Sequence, residues 1–216
     1  IEADRRIHAM PVRRPARPLA GPGTGAGTTV YVVDSGIDVG RAEFGDRAWR
    51  AFDATGGAGR DCGGHGTEVA GRVHAAAPEA GVASVRVLDC GNSGSLADVL
   101  AGLDWIYRHA RGPSVATLAL DGAGSPALDT AVRSLVRSGV FVAGAADSAQ
   151  CRVAPAGAAY SALVPYIAGA ASRYLERHPG TNPAIVASYL NCPSTRGAIR
   201  QNPSMASNLL MHSGGF

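Results

Sequence analysis

The sequence predicts an α/β fold, a mostly parallel sheet with helices on both faces. Three observations predict it. Short apolar, β-branched runs recur at 28–33, 82–88, 114–120 and 140–145. The stretches between the later runs carry apolar residues at helical spacing and open on recognisable caps. Strand and helix therefore alternate in the rhythm of right-handed βαβ units.

Each element has its own local reason. TTVYVV at 28–33 reads as a buried strand and stops at the turn signal Asp34-Ser35-Gly36. A helix over about 66–76 comes next, then the strand VASVRVL at 82–88. SLADVLAGLDWIYRHA opens with Ser95 as N-cap and Asp98 three residues on as a weak capping box. The strand SVATLAL at 114–120 leads to SPALDTAVRSLVRSG, where Ser125 caps, Pro126 takes the first helical position and Gly139 stops the helix. VFVAGA at 140–145 ends the run of strands. Beyond Cys151 no further strand is predicted, only a helix over about 161–176, a second helix opened by Asn182 and Pro183, and a weakly patterned tail. In parallel sheets ligands bind beyond the carboxyl ends of the strands, which is where Asp34 falls.

Composition limits the classes of function. The 216 residues fit one domain, 1–216, with an irregular Pro- and Gly-rich arm over 1–27. At 46% hydrophobic and 17% charged the chain is globular, and no apolar run is long enough to cross a bilayer. All 20 basic residues are Arg, a compositional habit rather than a site. Arg5, Arg6, Arg13, Arg14 and Arg17 crowd the arm, but without aromatic interleaving they predict a solvated surface arm and no nucleic-acid partner. Cys62, Cys90, Cys151 and Cys192 form no CxxC pair, so disulfides in an exported protein are expected before zinc. No signal peptide begins at Ile1; an exported protein would start here after processing or trimming.

Two segments carry chemistry. VYVVDSGID puts a carboxylate at a strand end, and DCGGHGTEVAG puts His65 among glycines at a helix start, where a substrate backbone can come close to the ring. An acid facing a histidine fixes its tautomer and stabilises the imidazolium that forms when it takes a proton. Taken singly, Asp34 reads better as a turn residue, His65 as a polar residue at a helix start and Ser161 as a helix N-cap.

These segments, with VASVRVLDCGNSGSLADVLAGLDWI, resemble in order the aspartate, histidine and substrate-binding segments of the subtilisin-like serine proteases, proteinase K branch. PYIAGAASRYLERHP is similar to the downstream half of the family's serine segment and places Ser161 at the nucleophile. NPSMAS copies the letters of that segment around Ser204, but the adjoining SNLLMHSGGF resembles the family's chain end. The resemblance implies a subtilisin-like three-layer fold, a triad of Asp34, His65 and Ser161, and peptide or protein substrates. It also implies a peptide-binding edge at Ser93, Gly94 and Ser95 facing Leu120 to Gly122, although a Gly/Ser surface loop explains those residues equally well. IEADRRIH resembles the closing strand of the family's inhibitory propeptide, implying an uncut junction in the arm. A bridge between Cys62 and Cys90 is implied as in secreted relatives; Cys151 has lost its usual partner, leaving Cys192 to replace it or both thiols free. No cofactor is predicted, and calcium, often present in the family, has no support in the sequence. A monomer is expected, with no membrane partner.

The pattern also breaks. Ser148 stands where the family has its oxyanion asparagine, with Asp147 beside it. Losing that donor costs on the order of 10²–10³ in turnover, a value that comes from subtilisin itself. Ala159 and Tyr160 stand where the family has Gly and Thr before Ser161, and several tens of residues between the oxyanion position and the serine are missing, so the chain is truncated relative to the family. The deletion predicts an uncovered sheet edge and a missing pocket wall. A serine endopeptidase is the first expectation; the alternative is an impaired pseudoprotease or repurposed scaffold that binds a peptide or partner.

Overall fold

The computed structural model describes residues 2–11, 22–121, 124–144 and 164–191, with short strands at 151–152, 195–196 and 209–210. In chain order the elements are β1 (Arg6–His8), β2 (Thr29–Asp34), a 3-10 turn (Ala42–Phe44), β3 (Ala48–Asp53), α1 (His65–Ala76), β4 (Gly81–Arg86), β5 (Ser93–Ser95), α2 (Leu96–His109), β6 (Ser114–Leu118), α3 (Pro126–Arg137), β7 (Phe141–Gly144), β8 (Cys151–Arg152), α4 (Val164–Arg177), α5 (Pro183–Asn191), β9 (Thr195–Arg196) and β10 (Leu209–Leu210). β3, β4, β2, β6, β7 and β8 lie side by side in that order, every pair parallel.

The period of two along the strands builds the layers. From β2, Val30 and Val32 enter one core with Val69 and Val73 of α1, Ile167 and Leu175 of α4 and Leu190 of α5. Tyr31 and Val33 enter the other with Val99, Leu103 and Ile106 of α2 and Leu128, Val132 and Leu135 of α3. Because strands buried on both faces must be apolar throughout, β2, β4 and β6 read as continuous runs in the sequence. α1 and α4 approach so closely that a Cβ on Gly169 would lie 2.4 Å from the Cβ of Ala76.

The caps act as the sequence predicts. Ser95 and Asp98 form a reciprocal capping box on α2, and the Ser125 hydroxyl accepts from Leu128 N ahead of Pro126 in α3. β3 is not predicted by the sequence: its exposed Trp49 and Arg50 interrupt any apolar run, as suits an edge strand covered on one side. At the sheet end beyond β7, Ala143 and Gly144 pair with the two-residue β8. Nor is the arm solvated along its whole length, because β1 pairs antiparallel with β5. Among the described residues no helix is long and apolar enough to cross a membrane.

Candidate active site

Asp34 is the last residue of β2, and its neighbours in the sheet fix it there. Its main-chain oxygen accepts from Val87 N (2.8 Å) and Leu88 N (3.2 Å), and the side chain is 1% exposed. Its Oδ1 accepts from Ser35 N at 2.7 Å.

His65 begins α1 directly after Gly64, whose φ of 79° a side chain would strain. Gly66 completes the approach, since a Cβ there would fall 2.1 Å from the Gly36 carbonyl oxygen. The strand end and helix start therefore meet, and His65 Nδ1 lies 2.8 and 2.9 Å from the two carboxylate oxygens of Asp34. Along the chain these residues lie 31 positions apart; the fold makes them a pair.

The arm occupies the face of this pair. β1 aligns Arg6, Ile7 and His8 with Ser95, Gly94 and Ser93, while Ala9 bridges to Leu120 on the opposite side. Main-chain bonds run from Ala9 N to Asn92 O (3.0 Å), Met10 N to Ala119 O (2.8 Å) and Asp121 N to His8 O (3.0 Å). The arm is thus a middle strand between two edges, the mode by which a sheet edge captures an extended peptide. Ile7 is 1% exposed and joins the core that holds Leu96, Leu120 and Leu128. His8 Nδ1 meets Ser93 Oγ at 2.7 Å. Two arm carboxylates sit on helix starts: Asp4 Oδ1 accepts from Ala97 N (3.1 Å) and Glu2 Oε2 from Ala127 N (2.9 Å).

At the end of this strand the Met10 carbonyl oxygen lies 2.6 Å from His65 Nε2. With Asp34 accepting at Nδ1 and a carbonyl accepting at Nε2, both ring nitrogens face acceptors, and the arrangement is favourable only for the imidazolium. Burial opposes the charged ring, but the hydrogen bond and charge of Asp34, with the Met10 carbonyl, outweigh it and hold the His65 pKa above its ordinary value. The residue after Met10 is Pro11, so the next bond along the chain is a tertiary amide.

Ser93, Gly94, Ser95 and Leu120 are brought to one cleft with Asp34 and His65. Ser161, Ser148, Gly122 and Cys192 lie outside the described residues, and Cys151 is placed only by its backbone in β8. Cys62 and Cys90 form a disulfide. No group of three or more His, Cys, Asp or Glu that could hold a metal occurs among the described residues. Sequence reasoning misses Met10, whose part is played by its main chain; Asp121, inside the expected facing segment, accepts from His8 N through Oδ1 at 2.5 Å.

Residues 25–148 match the family model described as the subtilase family. The chain is 32% identical over 285 residues to an extracellular serine proteinase of Thermus sp. (strain Rt41A), covering 98% of this chain and 70% of that protein. An alignment of 285 positions against 216 residues shows that the Thermus protein carries a stretch absent here. The alkaline serine exoprotease A of Vibrio alginolyticus is 42% identical over 141 residues, 61% of this chain and only 26% of that protein. Among solved structures, a cold adapted subtilisin-like serine proteinase superposes with a TM-score of 0.79 at 25% identity, covering 95% of this chain and 94% of that one. With the parallel sheet, the Asp34–His65 pair and these likenesses together, the chain belongs to the subtilase family.

Proposed function

We propose that this chain is a serine endopeptidase whose triad is Asp34, His65 and Ser161. The observation that carries the reading is a peptide main chain held extended in the cleft with its carbonyl at His65 Nε2, while Nδ1 is held by a buried carboxylate. With substrate in place of the arm, Ser161 Oγ attacks the peptide carbonyl carbon and His65 Nε2 takes the hydroxyl proton. Asp34 keeps Nδ1 protonated and stabilises the imidazolium. The ring then gives its proton to the leaving nitrogen as the C–N bond breaks, and water releases the acyl group by the same steps in reverse. Ser148 takes the oxyanion position by the resemblance of its segment, counted from Gly139.

Ser93 to Ser95 and Leu120 bind the substrate backbone, as they bind the arm. Residues 2–10 act as a tethered propeptide-like segment, and the domain works as a monomer outside the cytoplasm. The Thermus relative is named extracellular, and a disulfide suits that compartment. The relatives are named as proteinases, and no observation favours a scaffold that only binds. The test is labelling by a fluorophosphonate probe after displacement of the arm: Ser161→Ala abolishes it and Ser204→Ala leaves it. Labelling that survives Ser161→Ala discards the assignment.

A further inference from the structure

We propose that Asp61 is a positioning residue that holds the His65 loop against the Asp34 strand end. Five donors converge on its carboxylate. Oδ1 accepts from Ser35 Oγ (2.9 Å), Gly63 N (3.1 Å) and Gly64 N (2.8 Å); Oδ2 accepts from Thr67 N (2.9 Å) and from Thr67 Oγ1. The N-cap position of α1 is Gly64, which has no side chain to offer, so Asp61 supplies the acceptor for the first turn, the turn that carries His65. A carboxylate at a helix start is favoured by the exposed N–H groups there.

Capping alone would not tie the two segments together; Ser35 does. Its hydroxyl donates to Asp61 and accepts from Gly66 N at 3.0 Å, while its own N–H donates to Asp34 Oδ1 at 2.7 Å. One residue therefore touches the residue after His65 and the hub at Asp61 through its hydroxyl, and the carboxylate of Asp34 through its main chain. The segments are in backbone contact as well, since a Cβ on Gly36 would meet Asp61 N at 3.0 Å. From the cleft side Asn92 closes the loop, donating from Nδ2 to Gly63 O at 3.2 Å and accepting the arm's Ala9 N at 3.0 Å. Asp61 touches neither the imidazole nor the arm in any of these bonds, so it acts through position.

Asp61→Asn tests this because each carboxylate oxygen holds at least one backbone N–H. Either orientation of the amide then turns an NH₂ towards a backbone donor that cannot rotate away. The loop must shift, and the His65–Asp34 bond loosens. The charged groups acting on the ring are Asp34 and, one turn along α1, Glu68; with the Asp34 bond loosened, the His65 titration midpoint falls. The Nδ1 proton of His65, observed by NMR on the full chain, moves upfield and exchanges faster. Asp53→Asn is the matched control: its carboxylate also gathers the N–H groups of Thr55 and Gly59, yet it lies against Arg86, away from the ring. That variant loses stability while both His65 signals stay in place.

Should Asp61→Asn fail to fold, Ser35→Ala is read instead, with the same direction expected. In turnover assays, an arm of the test that rests on the proposed peptidase function, kcat falls at least about tenfold with KM unchanged. An absence of turnover in the parent after displacement of the arm would remove that function and leave the NMR comparison standing. A folded Asp61→Asn whose Nδ1 proton and midpoint equal those of the parent overturns the proposal, whatever its stability.

Discussion

Truncating Ile7 to Ala separates the docking of the arm from the stability of the domain. Ile7 is 1% exposed, but it lies in a three-residue strand joined to the body chiefly through β5 and residues 119–121. Its burial therefore belongs to the docking equilibrium. Removing a buried Ile side chain to Ala costs about 2–5 kcal/mol in a core that cannot relax. Undocking lets the emptied site fill with water, so the lower end, about 2 kcal/mol, is expected, a roughly thirtyfold loss of docked over free arm at 1.4 kcal/mol per decade. Amide hydrogen exchange reads this directly. Protection of Ile7, Gly94 and their neighbours falls by about thirtyfold, while Val30 to Val33 in β2 exchange as before. Equal loss in β2 would show that Ile7 supports the whole fold, and unchanged protection at β5 would show that the apolar anchor does not hold the arm; either refutes the reasoning.

Other perturbations give equally direct outcomes. Pro11→Ala replaces the tertiary amide after Met10 by an ordinary secondary amide at the bond nearest His65, so mass spectrometry of the purified chain should show cleavage between residues 10 and 11 in the variant and an intact parent; cutting of the parent there contradicts the register. Stability also depends on pH. The His65 pKa is raised above its ordinary value in the folded chain, so the stability this adds to folding is fully present below the ordinary histidine value and is lost as pH rises through the folded value. The urea midpoint should therefore fall as pH rises through that range, and a flat profile would exclude the doubly protonated ring. Reducing the Cys62–Cys90 bridge, which spans 28 residues, removes about 3–4 kcal/mol on the chain-entropy account, read as a lower urea midpoint; a change under about 1 kcal/mol contradicts it.

Much of this architecture is legible in the sequence because buried parallel strands must be apolar on both faces, so β2, β4, β6 and β7 stand out as runs. Ser95, Ser125 and Pro126 mark helix starts for a similarly local reason, being chosen by the backbone groups they satisfy. Asp34 and His65 are legible as types at a strand end and a helix start, whereas their contact depends on Gly64 and Gly66 allowing two distant segments to touch. β3 is hidden by Trp49 and Arg50, which face outward from an edge. The pairing of β1 with β5 is hidden for another reason: Ser-Gly-Ser holds a strand through main-chain groups, which every residue possesses. The Arg cluster of the arm therefore suggests solvation, although Arg6 stays at the surface beside Asp89 while Ile7 is buried next to it. Asp61 is inconspicuous because a lone Asp in a Gly-rich loop is an ordinary turn residue; only the convergence of donors from Ser35 to Thr67 distinguishes it.

The central claim is that the Asp34–His65 pair activates Ser161 in the cleft now filled by residues 5–10. A crystal structure of the chain after reaction with a fluorophosphonate tests it most directly. Phosphorus is expected on Ser161 Oγ with His65 Nε2 about 3 Å from the bonded oxygen, and the arm displaced from Ser93 to Ser95. Phosphorus on Ser204 or another serine, or on a Ser161 remote from His65, would contradict it.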